Sequence, residues 1–531
     1  MNLPILTSAQ MRAAEEAAFA RGVTVEALMD KAGTGVAQAV TKFFRKPGRC
    51  IVFAGKGHNA GDALVAAECL RRLGWKIEVR LAFREGDCSE LMRKKLESLR
   101  RRPLEILGAT PPRDGTDLGV TFVELLAEVG DELSGAQGAI AAEAYLGTAA
   151  PLIILDGLLG LGAKPPLRDP IRAACRFINQ LRPNKGAYVF AVDLPTGLDG
   201  DSGKTDRDCV IADFTITIGF AKPGLLADSA LNFVGRLEVV QLDELRSPEK
   251  KAKEVIASLS SFRELLPRRD FSTYKNQCGR IGVVAGSRGF IGAALMTSQG
   301  ALRAGAGLVE VFVPDEIYEI VVGAAPMESM VKPLQSYRDL LKEKVDVWAL
   351  GPGLGKSHAA EILELIEKAK QPMVVDADGL NILAKKPSTL RHCEGKRLLT
   401  PHPGEMKRLS RDGKETRAKT AMSFSHRFPV TLLLKGSRTI VAERDRPLSH
   451  NTTGNPGMAT GGMGDILTGV CAGLAGQGLS FYDAARLGAW ACGRAAEVAI
   501  FGGGQSEQSL LPRDVLDHLG EVFNELHRLV V

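Results

Sequence analysis

The sequence predicts two α/β domains in tandem, each a largely parallel sheet between layers of helices, and three observations carry that reading. The chain has 531 residues, beyond the size at which one hydrophobic core usually stops growing, so two cores are expected. Short β-rich runs alternate with helical stretches in two separate series. Between the series lies a charged, strand-poor segment, residues 243–270 (DELRSPEKKAKEVIASLSSFRELLPRRD), which reads as the linker region. The expected division is therefore 1–245, a linker over 246–270, and 271–531.

Taken in order, residues 8–45 read as two helices, with Ser8 as N-cap and Leu28, Val36 and Val40 at helical spacing. From Arg49 the period changes. CIVFAG is followed by a helix from Asp62, then by KIEVRLAF, PLIILD, AYVFAVD and FTITIGF, each a short strand. Residues 108–150 are rich in Gly, Ala and Asp and read as a loop with one or two helices. The second series runs RIGVVAG, LVEVFVP, DVWALGPG, PMVVDADG, RLLTPHPG and TLLLKG. No residue-level repeat links the two series, so duplication is not supported.

Composition excludes several classes. With 45% hydrophobic and 24% charged residues, the chain has enough apolar material for sizeable cores. A net charge of +6 is too diluted to imply nucleic acid, and the basic stretch RKKLESLRRR (93–102) has leucines at helical spacing without interleaved aromatics, so it reads as a solvated helix face. Nine cysteines form no C-x-x-C pair and no Cys/His cluster, which argues against a zinc site or disulfide framework and for a reducing compartment. No signal-like or membrane-length apolar run is present, so the expectation is a cytoplasmic protein with no membrane or nucleic-acid partner.

Three strand ends in the first half carry polar groups. The first strand runs into Gly55-Lys56-Gly57 and His58, Asn59, Ala60, Gly61 and Asp62, where a glycine turn entering a helix can hold a phosphate on backbone amides. Asp156 closes PLIILD, and Asp193 closes AYVFAVD before Leu194-Pro195-Thr196. In a doubly wound sheet these ends share one edge, so Asn59, Asp156, Asp193 and Thr196 can converge, and an all-oxygen set suits a hard cation. Each aspartate taken singly also suits a helix cap or turn.

The second half carries GNPGMATGGMGDILTG (454–469), a glycine run entering a helix with Asp465 at its start. Free amides there can bind phosphate while the aspartate accepts a proton from an attacking hydroxyl, a combination that serves phosphoryl transfer. Lys435, Gly436, Ser437, Arg438 and Thr439 follow a strand, either as a nucleotide loop or as a plain hairpin turn. Further glycine loops follow strands at 286–293 and 351–355, and His402 and Glu405 lie in TPHPGEM.

The runs GKGHNAGDALVAAECL, DGLLGLG and VDLPTGLDGDSG resemble the signature segments of the NAD(P)HX epimerase family over residues 5–240. The resemblance implies a Rossmann-like three-layer αβα domain that binds potassium through Asn59, Asp156 and Thr196. It also implies that the hydrated nicotinamide nucleotide contacts His58, Asn59, Ala60, Gly61, Asp62, the loop Gly160, Leu161, Gly162, Ala163, Lys164, Pro165 and Pro166, and Asp193. Asp193 is expected to transfer the proton, with Lys164 as its acid partner. The family text commonly has glycine where this chain has Ala60 and Ala63. A positive φ at either position, or an approach of the nucleotide to the backbone there, would weaken the site.

Residues 270–525, above all GNPGMATGGMGDILTG, are similar to the NAD(P)HX dehydratase family, which implies a ribokinase-like αβα domain. By that resemblance Lys435, Gly436, Ser437, Arg438, Thr439 and Gly464 bind ADP with magnesium, and Ala293, Gly353, His402 and Asp465 contact the substrate. Asp465 is the expected catalytic residue, and Asp376 and Glu405 are candidate magnesium ligands because hard cations prefer carboxylates. The implied partners are NADHX, NADPHX and ADP, in a homo-oligomer. The alternative is a small-molecule kinase of the same fold fused to a non-catalytic Rossmann-like binding module.

Overall fold

The computed structural model describes residues 3–101, 121–124, 150–249, 251–266, 268–410 and 415–528. The chain forms two compact units, one of Pro4–Lys251 and one centred on Ala252–Val531. After the two-residue strand β1 (Leu3–Pro4), the first unit opens with the helices Ser8–Phe19 and Val25–Phe43. The cap of the first is Thr7 rather than the expected Ser8. The Thr7 hydroxyl accepts from the Gln10 amide while the Gln10 side chain accepts from the Thr7 amide, a reciprocal pair that sets the helix start one residue earlier.

The strands that follow are β2 (Arg49–Ala54), β3 (Lys76–Leu81), β4 (Thr121–Glu124), β5 (Leu152–Gly157), β6 (Tyr188–Val192), β7 (Phe214–Ile218) and β8 (Arg236–Val240). They form a parallel sheet in the order β4-β3-β2-β5-β6-β7-β8. Every residue of β5 and all of β2 after Arg49 are buried, as expected of strands covered by helices on both faces. The order reverses between β2 and β5, which opens a crevice at their carboxyl ends. Apart from β4 and Ala150, the 108–150 segment lies outside the described residues. Helix Glu90–Arg101 carries the basic stretch, with Lys94 and Lys95 paired to Glu26 and Arg100 to Glu85.

The second unit begins inside the segment expected as a linker. Its strand β9 (Glu254–Ile256) buries Val255 and Ile256, and Phe262 enters the core 5.7 Å from Trp490. The apolar run EVIASL is too short to stand out among charges, and only tertiary pairing reveals it as structure. The remaining strands are β10 (Arg280–Val284), β11 (Leu308–Pro314), β12 (Ser329–Leu334), β13 (Val347–Leu350), β14 (Met373–Val375), β15 (Arg397–Leu399), β16 (Thr431–Leu434), β17 (Ile440–Ala442) and β18 (Leu448–His450). The order β12-β11-β10-β13-β14-β15-β16 is parallel, β17 and β18 add antiparallel pairs, and β9 lies parallel to β18. Here the reversal falls between β10 and β13.

Helix Met463–Gly476 buries Ile466, Leu467, Val470, Cys471 and Leu474 against the sheet and against helix Ile291–Arg303. Glycine makes that helix pair possible. A methyl on Gly469 would overlap the Thr297 carbonyl oxygen, and one on Gly300 would overlap that of Ile466. All nine cysteines are free thiols, seven of them buried. Among the described residues no helix is long and apolar enough to cross a membrane.

Candidate active sites

The crevice of the first unit gathers the expected oxygen set. Asp156 at the end of β5 is fully buried; its Oδ1 accepts from the Thr196 hydroxyl at 2.7 Å and its Oδ2 from the Thr196 amide at 2.8 Å. Burial pushes its carboxyl up to about 6 against the pull of those hydrogen bonds. Leu159 ties in Asn59. Its carbonyl accepts from Asn59 Nδ2 at 3.0 Å and its amide donates to Thr196 Oγ1 at 3.1 Å. Among the described residues the buried Asn59 Oδ1 has no hydrogen-bond partner, an acceptor open to a donor or a cation. A carboxylate, a hydroxyl and an orphaned amide oxygen together fit a cation of low charge.

Asp193 sits just past β6 with φ at 64°, in the left-handed region that few residues other than glycine adopt. Its Oδ1 accepts from Lys222 Nζ at 2.5 Å, from the Ile218 amide at 3.1 Å and from the Thr217 hydroxyl at 3.2 Å. Among the described residues Oδ2 has no such partner, so that oxygen is left for a ligand. Lys222 is 0% exposed and also donates to Thr217 Oγ1 and the Ile218 carbonyl. The expected acid partner, Lys164, is instead exposed in the 160–166 loop. Two more carboxylates face this pair. Burial, then the charges of Asp193 and Glu15, holds Asp62 well above the usual carboxylate range, and burial followed by Asp193 raises Glu15.

In the second unit, Asp376 follows β14 and is 1% exposed, with Oδ1 2.7 Å from Lys435 Nζ and Oδ2 accepting from the Thr468 hydroxyl at 2.8 Å. Burial opposes the Lys435 ammonium, yet Asp376, Glu405 and Asp465 together hold it above the usual lysine range. Gly464 lies over this pair, where a Cβ would stand 3.1 Å from Lys435 Nζ. Asp465 is in the first turn of Met463–Gly476, with Gly462 (φ 91°) as N-cap, so its carboxylate is not used as the cap. Burial first, then the charge of Asp376, pushes Asp465 up to about 6, with Lys435 pulling the other way.

Ala293 and Gly353 meet at the β10/β13 reversal, where a Cβ on Gly353 would stand 3.0 Å from that of Ala293. The 435–439 segment is the turn of the antiparallel β16/β17 pair, and Arg417 braces it by donating to the Lys435 and Arg438 carbonyls at 3.2 and 3.1 Å. His402 is exposed, with its amide donating to Glu405 Oε2 at 2.9 Å. The two candidate magnesium ligands differ in what they already hold. Asp376 is sealed between Lys435 and Thr468, and the buried Glu405 caps His402.

The family described as NAD(P)H-hydrate dehydratase matches residues 281–515, and that described as YjeF-related protein N-terminus matches residues 25–224. A bifunctional NAD(P)H-hydrate repair enzyme of Moorella thermoacetica is 34% identical over 526 residues, covering 95% of this chain and 93% of its own. The chain belongs to the bifunctional NAD(P)H-hydrate repair enzyme family. The Escherichia coli member is 34% identical across 97% of this chain and 92% of its own. A crystal structure of ADP/ATP-dependent NAD(P)H-hydrate dehydratase from Bacillus subtilis, co-crystallized with ATP/Mg2+, is 27% identical, covering 51% of this chain and 98% of that one with a TM-score of 0.44.

Within the repair-enzyme family this chain's two alanines are accommodated. Ala60 and Ala63 lie inside helix His58–Arg72, neither has a positive φ, and both are fully buried. The Ala63 methyl packs over Gly157, where a second Cβ would stand 2.5 Å away. Lys222, Glu15 and Arg417 were not singled out from the sequence. A lysine in AKPG and an arginine opening a surface helix read as solvated groups, and only the fold turns them inward.

Proposed function

We propose that the first unit epimerises R- and S-NAD(P)HX and that the second dehydrates S-NAD(P)HX to NAD(P)H at the expense of ADP. The observation that carries this is Asp465, poised near neutrality at an open helix N-terminus beside Lys435 and Gly464. Asp465 takes the proton of the substrate's C6 hydroxyl, whose oxygen attacks the terminal phosphorus of ADP as the bond to AMP breaks. The amides of Gly461–Gly464 and the Lys435 ammonium stabilise the charge that develops. The C6–O bond then breaks, phosphate leaves, and loss of a proton from the adjacent carbon restores the dihydronicotinamide. Ala293, Gly353 and His402 hold the substrate, and Lys435, Gly436, Ser437, Arg438, Thr439 and Gly464 hold ADP. Magnesium would enter with the nucleotide phosphates, because both oxygens of Asp376 are engaged by Lys435 and Thr468.

In the first unit Asp193 Oδ2 handles the proton at the epimerising centre while Lys222, bonded to Oδ1, orients the carboxylate. Asn59, Asp156 and Thr196 hold potassium, supported by the orphaned Asn59 oxygen. When bound, the ion would supply a fixed positive charge to the crevice. The test incubates the protein with an equilibrated mixture of R- and S-NADHX, magnesium, potassium and ADP, and follows NADH absorbance. Complete conversion faster than spontaneous epimerisation is expected. Arrest once the S form is spent would remove the epimerase assignment, and no nucleotide-dependent rise would remove the dehydratase.

A further inference from the structure

Phe290 is the residue of the second site whose chemistry nothing above uses. It closes the glycine loop after β10, and its backbone is fixed: its amide donates to the Ser287 carbonyl at 2.8 Å, and the same loop is pinned to its neighbour by Gly286 N to Pro352 O (2.8 Å) and Ser287 Oγ to Gly353 O (2.7 Å). Its Cβ lies against Gly353, where a methyl would stand 2.9 Å from it and 3.0 Å from Ala293. Yet Phe290 is 62% exposed, and among the described residues its ring stacks on no other. Single exposed apolar residues are ordinary on mobile surface. Here a rigid loop at the strand-order reversal, where ligands bind in such sheets, holds a phenyl out into solvent beside two positions kept small.

We infer that Phe290 is the platform on which the adenine ring of NAD(P)HX stacks, and so a specificity-determining residue for the dehydratase reaction. This rests on the dehydratase reading of the site. The substrate has two rings. The hydrated nicotinamide carries a tetrahedral C6 whose hydroxyl must reach Asp465, at the start of a largely buried helix, so that ring has no full π-face and is committed to the interior. Adenine has two complete faces and no reacting atom, which suits an aromatic wall at the open rim.

The full-length protein tests this with S-NADHX and with the S-hydrate of reduced nicotinamide mononucleotide, which lacks the AMP half. Phe290→Ala is expected to raise KM for S-NADHX about tenfold, with kcat within about twofold and KM for ADP unchanged. Phe290→Trp restores KM, and the two proteins do not differ on the mononucleotide hydrate. An unchanged KM for S-NADHX in Phe290→Ala, or an equal rise on both substrates, would overturn the inference. If the unaltered protein turns over neither substrate, the dehydratase reading is what fails.

Discussion

Lys222 Nζ lies 2.5 Å from Asp193 Oδ1, although the two residues are 29 positions apart and belong to no common motif. A buried pair of this kind is costly to break because the surviving charge has no water to turn to. Lys222→Met is therefore expected to lower potassium-dependent epimerisation about 100-fold or more, while dehydration of pure S-NADHX stays intact. Separate chromatographic assay of the two epimers, with and without ADP, reads both activities on one preparation. Equal loss of both would point to a folding defect instead.

Asp465→Asn keeps the shape of the helix N-terminus and removes the base. Turnover of S-NADHX is expected to fall about 100- to 10,000-fold while ADP binding, measured calorimetrically, stays within a fewfold of the unaltered protein.

The same carboxylate sets a pH limit. As a base Asp465 must be ionised, and burial with Asp376 nearby raises it to about 6, so protonation sets in at a pH where an ordinary aspartate is still charged. The expected profile of kcat/KM for S-NADHX is flat above that value and falls tenfold per unit below it. A rate that holds down to about pH 4.5 would reject Asp465 as the base.

Among the described residues Asn59 Oδ1 has no hydrogen-bond partner while Nδ2 donates to the Leu159 carbonyl, so truncation removes the free acceptor together with one tie to the loop after β5. Asn59→Ala is expected to weaken the potassium dependence of epimerisation at least tenfold, leaving the dehydratase unaffected. Titration with potassium and with lithium as a smaller control measures it.

Gly469→Ala drives a methyl into the Thr297 carbonyl, which belongs to a packed helix and cannot retreat. A loss of about 1–3 kcal/mol is expected, seen as a lowered unfolding midpoint of the second unit.

The sequence made the inner sheet of each unit legible because β2, β5, β6, β10 and β13 each carry at least four consecutive apolar or glycine residues, the mark of strands buried on both faces, and β7 (FTITI) is β-branched or aromatic throughout. Edges were harder to see. β12 contains Lys332 and Pro333, β9, β17 and β18 are three residues each, and none carries a pattern long enough to have a period. Convergence of Asn59, Asp156 and Thr196 followed from parallel topology alone, since strands that share an edge bring their carboxyl ends together. Lys222 did not follow, because whether a lysine points into a core depends on contacts made from β7 and its turn. Nor did the sealing of Asp376, which takes one partner from Lys435 and another from Thr468.

The glycines between helices Ile291–Arg303 and Met463–Gly476 have a consequence for evolution. Where backbone touches backbone, neither helix can accept a larger residue without its neighbour changing too, so the pair behaves as a single inherited part. Ala293 in the first turn of one helix and Asp465 in the first turn of the other are carried together at the same end of that part. New substrates are then more easily reached by rewriting the loops around it, at 286–290 and 435–439, than by altering the spacing between the groups that hold the substrate and the group that takes its proton.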